Sequence, residues 1–511
     1  MNNFSLAEIF GNGMVLQREK PIHIFGTAEP QTQVCVTLGE ETCRAQADEN
    51  GKWTAELSSR AAASDLKLEA KTDSGDTVTV APVHIGDVWI AGGQSNMEFF
   101  NKYEKDWEHT RNLPMNPNIH FYNVPQRAFE GHETHNIGAR GGYGKWLNDK
   151  EDGYENFSAI GYSFARFMQE DLSVPIGIIG CNWGGSTAST WLPCEALEDA
   201  PLNRYLEEYE AAVSEYAPEE LRRVSLQEWE KLDEPESYRG FEPLLYGLSW
   251  EEQLECMKHG RGPIVPMGPY NENRPGGLYH TMLEPIAPYS LKGALWYQGE
   301  SDCGDRAFMY DRLLTAMIRE WRSLWQDELP FFVVQLAPFC KWLECTNDDY
   351  CTVRMQQQKV ADTVPSVYLT SIMDLGSYYD IHPKEKYEIG RRLYLQAISH
   401  LYGKYEPGYG ENPRIAEARR VGSHVICSFD FAKSLQDKGG KTDIRMTDKE
   451  QIYEPLDVRL DEGKAEIDIT IPEEALDAQN LQIAMGWADY ATIFICNEHQ
   501  LPIAPFCVKV K

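Results

Sequence analysis

The segment VWIAGGQSNMEFF, residues 88–100, runs an apolar, strand-like stretch into two glycines and then Ser95. Glycines at such a corner permit a tight turn and close backbone approach. The turn can present the Ser95 hydroxyl outward, while N–H groups of the helix start behind it face any negative charge that develops. The chemistry would be nucleophilic attack by the serine oxygen. The plain alternative is that Ser95 caps the helix, a task serine does well. A second stretch, DIHPKEK (380–386), sets His382 directly before Pro383. A residue before proline avoids helical torsions, and proline suits the first helical position. His382 is therefore expected on a loop, ahead of a helix that starts at Pro383. An imidazole there can take a serine proton and return it to a leaving alcohol. Asp380, two residues earlier, can hold the ring as the third member of a triad. Asp374, Glu300 or a backbone carbonyl could do the same.

Two more polar turns follow apolar runs. NWGGS (182–186) offers Gly184 and Gly185, whose N–H groups an oxyanion can approach without hindrance from a side chain. YQGESD (297–302) offers the Gln298 amide. A glycine pair is equally well explained as an ordinary turn. No metal or cofactor is expected. His132 and His135 in GHETH lack the third ligand and helical setting of a metal site. The cluster Cys340, Cys345 and Cys351 matches no zinc spacing and reads as loop thiols. No glycine run has the form of a phosphate loop or dinucleotide fingerprint.

The elements that must position these residues are legible between about 86 and 404. Five apolar runs read as buried strands: DVWIA (87–91), PIGIIGC (175–181), LKGALWY (291–297), PFFVVQL (330–336) and SVYLTSIM (366–373). Helical periods lie between them. Leu314, Met317, Trp321 and Leu324 recur at helical spacing, as do Ile389, Leu393, Ala397 and Leu401 ahead of Gly403. Alternation of strand and helix predicts an α/β domain with a mostly parallel sheet, whose ligands bind at the carboxyl ends of the strands. An acidic, helix-prone stretch and a Gly/Pro-rich one read as an insertion at about 200–275. Residues 1–85 and 405–511 alternate short apolar runs with turn residues, as β-sandwich-like domains do.

The chain has 511 residues, enough for about two to four domains. Its formal charge of −31 argues against nucleic acid and against anionic membranes as partners. A neutral sugar, or an acidic one gripped by a local arginine, is compatible with it. The 12 cysteines include no CxxC pair, and the first residues show no signal-peptide pattern. Reduced thiols and a cytoplasmic location are the expectation. No stretch approaches the length of a membrane span. The oligomeric state is not encoded in any pattern.

The motifs GGQSNMEF, NWGGS with TW soon after, PGGLYHTMLEPI, LWYQGESD, DIHPKEKYEIGRRL and LPIAPF together resemble the SGNH-hydrolase superfamily. The closer resemblance is to the sialate O-acetylesterase family and its acetyl-xylan-esterase relatives. It implies a flavodoxin-like three-layer α/β/α hydrolase domain that removes acetyl groups from sugar hydroxyls without a metal. The resemblance puts the nucleophile on Ser95 and the base on His382. The oxyanion donors would be the Ser95 N–H and a glycine N–H, that of Gly185. Two positions depart from the superfamily pattern: Asp380 is one residue closer to His382 than usual, and Ser301 stands where an oxyanion asparagine is common. Gln298 is expected to supply the missing amide. Sugar contacts are expected from Trp183, Arg274 and Glu300, with Trp296 a further candidate. For the tryptophans, plain core filling is the alternative. The substrate would be an O-acetylated sugar or oligosaccharide: sialate first, acetylated xylan or mannan fragments second. A carbohydrate-binding protein without catalysis is the reading of another class.

Overall fold

The computed structural model describes residues 4–132, 143–232, 249, 251–252, 255, 264–343, 345–449, 451–461 and 463–511. They fall into two compact units, residues 1–301 with 312–331 and residues 302–311 with 332–511.

The first unit begins with short antiparallel strands. β1 (Ser5–Leu6), β3 (Ile22–Thr27) and β6 (Lys52–Leu57) form one small sheet, and β4 (Gln33–Leu38) pairs with β5 (Glu41–Gln46) and β7 (Ala63–Thr72). In β6 every second residue is buried, the period-2 signature of a half-buried strand. β2 (Val15–Gln17) lies parallel to the strand that leads to the site. That strand, β8 (Thr77–Gly93), runs unbroken for 17 residues. Its first part pairs antiparallel with β7. Its last part pairs parallel with β11 (Ile176–Asn182) on one side and β12 (Gly293–Tyr297) on the other. β9 (Ile119–Asn123) and β10 (Trp146–Asn148) extend this run, giving the order β10-β9-β11-β8-β12, with only β10 antiparallel. β9, β11 and β12 are buried along their whole length, as parallel strands covered on both faces are.

The registers matter most for function. Asn182 and Tyr297 both stand opposite Gly93. The three carboxyl ends are thus level, and residues 94, 183 and 298 leave the sheet side by side. Trp296 is wholly buried between Trp191 and Trp321, at ring distances of 6.4 and 5.6 Å. A Cβ on Gly92 would come within 2.9 Å of Trp321, so the glycine lets this cluster close on β8. Trp296 therefore fills the core and is not exposed for a sugar. The described part of the 200–275 insertion is largely helical, Arg204–Ser214 and Pro218–Leu232, the second burying Leu221, Ser225 and Trp229.

In the second unit, β13 (Phe331–Val334) lies beside β14 (Val367–Thr370). Helices Tyr350–Thr363 and Lys386–Tyr402 accompany them, and a short hairpin pairs Lys341–Trp342 with Cys345–Thr346. The helix expected from Pro383 starts instead at Lys386, because Glu385, at φ −79° and ψ 49°, is not helical. His382 is on a loop, as the Pro383 argument required. Beyond Arg414 come two four-stranded antiparallel sheets. Val425, Ile467 and Ile469 of one, and Met446, Ile483 and Met485 of the other, share a single core. The protein is thus mixed α/β, with a large sheet whose central strands are parallel and β-rich parts toward both ends. Among the described residues, no helix is long and apolar enough to cross a membrane.

Candidate active site

β8 ends at Gly93 with φ +135°, where a Cβ would lie 2.1 Å from the Tyr297 carbonyl oxygen. Only glycine fits this turn. The chain then enters a one-turn helix, Ser95–Glu98, whose N-cap is Gln94. Ser95 is the first helical residue and not the cap, so the capping alternative does not describe it. Ser95 is 8 % exposed.

The loops from the two flanking strands wrap this corner. The Gln94 N–H donates to the Tyr297 carbonyl at 3.1 Å. The Gln94 side-chain oxygen accepts from the Ser301 N–H at 3.2 Å. Asn96 donates to the Glu300 carboxylate, which is 7 % exposed. On the other side, the Trp183 N–H donates to the Gly93 carbonyl at 3.0 Å. Gly184 lies against the serine: a Cβ on it would be 3.4 Å from Ser95 Cβ.

The two glycines of NWGGS differ in what their N–H groups do. Gly184 donates to Glu98 Oε2 at 2.7 Å. The other Glu98 oxygen accepts from Gln126 Nε2 at 3.2 Å, and that amide also donates to the Asn182 carbonyl at 3.0 Å. Gly185 has φ +77°, faces open space, and its N–H has no partner among the described residues. Of the pair, Gly185 is the one able to offer a donor. Glu98 was not among the residues singled out from the sequence. Its one local signal, a carboxylate three residues after the serine in a buried turn, acquires meaning only once residue 184 is known to be beside it.

Gln298 is wholly buried and donates through Nε2 to the Ser186 carbonyl at 3.2 Å. The Ser301 hydroxyl donates to the Gly185 carbonyl at 3.0 Å. Both therefore hold the glycine loop, a part the sequence reading did not give them. Trp183 is half-buried and packs on Ala128, Trp229 and Val265. Trp229 meets it edge to face at 6.3 Å. Arg274 donates through Nη1 to the Ala128 and Asn271 carbonyls, which anchors one nitrogen of its guanidinium beside the same cluster. His132 stacks on Phe129, meets Trp229 at a tilt and accepts the Ala128 N–H, so it is a packing residue. His135 lies outside the described residues. Among the described residues there is no group of three or more His, Cys, Asp or Glu able to hold a metal ion.

In the second unit, His382 is 2 % exposed. Asp380 Oδ1 accepts the His382 backbone N–H at 2.8 Å and lies 3.4 Å from the ring nitrogen Nδ1. Trp342 closes the other side, edge to face at 5.1 Å. Burial pushes the imidazole below the usual histidine value, and the Asp380 carboxylate works against that shift. Asp374, one of the alternatives to Asp380, is occupied. Arg392 holds it through both Nη atoms at 2.7 Å and Lys438 adds a contact at 3.0 Å. Burial acts to raise the Asp374 pKa, but these cations together hold it below the usual carboxylate range. The structure thus gathers Ser95, Gly184, Gly185, Gln298 and Glu300 in the first unit, and His382 with Asp380 in the second.

Residues 268–399 match the family model described as carbohydrate esterase, sialic acid-specific acetylesterase. The chain is similar to the sialate O-acetylesterase of Rattus norvegicus, 25 % identical over 478 residues that cover 86 % of this chain and 81 % of that one. The Homo sapiens protein of the same name is 23 % identical over 445 residues, covering 78 % and 72 %. The crystal structure of a carbohydrate acetylesterase from Xanthomonas citri superposes with a TM-score of 0.73 at 24 % identity, covering 99 % of both chains, and shows a shared fold. The resemblance read from the motifs stands, and so does the expectation of a carbohydrate O-acetylesterase, a carboxylic ester hydrolase.

Proposed function

We propose that this enzyme removes O-acetyl groups from sugars, O-acetylated sialate first among them, through an acyl-enzyme on Ser95. The observation that carries the reading is the corner itself: a serine at the first position of a helical turn, with Gly184 against its Cβ and the next residue, Gly185, offering an N–H without a partner among the described residues. The names of the similar proteins support acetylated sialate as the substrate. A flavodoxin-like three-layer SGNH hydrolase domain belongs to the same reading.

Ser95 Oγ attacks the acetyl carbonyl while His382 takes its proton. Nδ1 lies 3.4 Å from Asp380 Oδ1, which supports Nε2 in the basic role. A neutral imidazole is what a base must be, and burial favours that form. The oxyanion is held by the N–H groups of Ser95 and Gly185, while Gln298, buried on the Ser186 carbonyl, keeps the glycine loop in place and is not a third donor. His382 returns the proton to the sugar oxygen and the alcohol leaves. Water then attacks the acetyl-serine, His382 acting again as base, and acetate is released. Trp183 and Glu300 would contact the sugar, and Arg274 would meet the sialate carboxylate with the part of its fork that is not anchored.

The test is acetate release from O-acetylated sialic acid and from acetylated xylo- and manno-oligosaccharides, each with a Ser95→Ala control. Preference for sialate, lost in the variant, is expected. Release that survives Ser95→Ala at near the wild-type rate overturns the mechanism. Preference for the neutral oligosaccharides keeps the mechanism and overturns the substrate.

A further inference from the structure

The loop that carries Asp380 and His382 also carries two exposed aromatic side chains. Tyr378 is 45 % exposed and Tyr379 50 %. Their rings meet at 4.7 Å and 71°. Tyr490, from the C-terminal β-rich part, meets Tyr378 at 5.0 Å and 78°. Three tyrosines therefore form a continuous, partly exposed aromatic surface within the second unit.

Three observations show that this surface is fixed in place. The Tyr378 carbonyl accepts the N–H groups of Cys340 and Lys341, at 3.3 and 3.0 Å. Ser377 bridges to Phe339 in the parallel sense. The neighbour of Tyr490, Asp489, accepts the Cys351 N–H at 2.9 Å. Large aromatic side chains held in water by a rigid backbone are costly to leave uncovered, and such patches mark binding surfaces. Its place in the chain says what covers it. Tyr379 adjoins Asp380, whose carboxylate is 3.4 Å from the His382 ring. The surface and the Asp380–His382 pair thus share one loop, with Tyr379 the residue immediately before Asp380.

Resting on the reading that His382 serves a sugar esterase, we propose that Tyr378, Tyr379 and Tyr490 form a stacking subsite for a second pyranose ring. The preferred substrate is then an acetylated oligosaccharide and not a free acetylated monosaccharide. A pyranose offers a C–H face to an aromatic ring and hydroxyls around its rim to phenolic oxygens. A cluster of tyrosines satisfies both, and its lack of charge suits a neutral ring.

The experiment compares kcat/KM of the full chain on three ester sets. They are O-acetylated sialyllactose against free O-acetylated sialic acid, acetylated xylotriose against acetylated xylose, and p-nitrophenyl acetate, which has no sugar. Tyr379→Ala, Tyr490→Ala and their phenylalanine counterparts are measured beside the wild type. In at least one sugar pair the oligosaccharide should be the better substrate. The alanine variants should lose about ten-fold more on it than on p-nitrophenyl acetate, mainly in KM. The phenylalanine variants should recover most of that loss. Equal handling of one ring and several by the wild type overturns the proposal. So does an equal loss on every ester, or no loss at all. Release that persists in Ser95→Ala, or wild-type failure on every ester, brings down the function reading first and this inference with it.

Discussion

At the scale of single residues, the corner around Ser95 is held by groups that have no part in the proposed bond-making step. Glu98 is the clearest. It takes the N–H of Gly184 and so leaves Gly185 as the donor of the pair. Removing the carboxylate should let the loop drift. Glu98→Ala is expected to lower kcat by about 10²-fold, the loss typical of one oxyanion donor, with KM little changed. Near-UV circular dichroism should stay native, and a KM effect as large as the kcat effect would contradict this account. Asp380 makes a different prediction. Its charge raises the pKa of His382, while burial lowers it further than Asp380 restores. The acidic limb of kcat/KM should therefore lie below the usual histidine value of about 6.5. Asp380→Asn removes the raising contribution, so the limb should move to still lower pH while the plateau falls. A limb that moved upward would mean that Asp380 does not act on this ring.

At the scale of elements, the buried pair His84 and His120 links β8 to β9, with rings 4.4 Å apart. Burial, and secondarily the neighbouring His84, lowers the His120 pKa to about 3. Burial lowers that of His84 as well. The unfolded chain takes up these protons near pH 6.5, whereas the folded chain resists them until far lower pH. Between those limits the unfolded state binds more protons, so stability is full above about pH 6.5 and falls as the pH drops toward 3. The slope approaches about 1.4 kcal/mol per pH unit for each such group. Thermal melts from pH 7 to pH 4 should show it, and His120→Gln should flatten the decline. The elements were largely readable in advance. The apolar runs at 87–91, 175–181, 291–297, 330–336 and 366–373 all contain or overlap strands, because residues buried on both faces leave a continuous apolar record. Ser95 and His382 were singled out because glycine and proline constrain the backbone locally. The grip of Glu98 on Gly184, and the engagement of Asp374 by Arg392 and Lys438, were not legible. Each joins residues distant in sequence, and a charged side chain looks the same whether it will meet solvent or a partner. Pro383 was over-read: proline permits a helix start but does not compel one.

At the scale of the molecule, a formal charge of −31 surrounds a site proposed for an anionic sugar. Like-charge repulsion should slow the approach of sialate esters and be screened as salt is added. Between about 20 and 300 mM salt, kcat/KM should rise for O-acetylated sialate and stay flat for acetylated xylotriose. A rise for both would point to a salt effect on the protein itself. Charge tells nothing about fold, but it sets which substrates must be drawn in by local cations.

The strand β8 has a consequence of another kind. One uninterrupted ribbon of 17 residues begins in the N-terminal sheets, passes residue 85 without a joint, and ends two residues before Ser95. The N-terminal part is therefore not a cartridge that can be exchanged there. A chimera spliced at residue 85 would sever the ribbon, and its first loss would be the alignment of a serine ten residues away, not a missing lid. Amide hydrogens of residues 83–93 should accordingly exchange only when the ribbon opens as a whole, with a protection pattern that ignores the compositional seam.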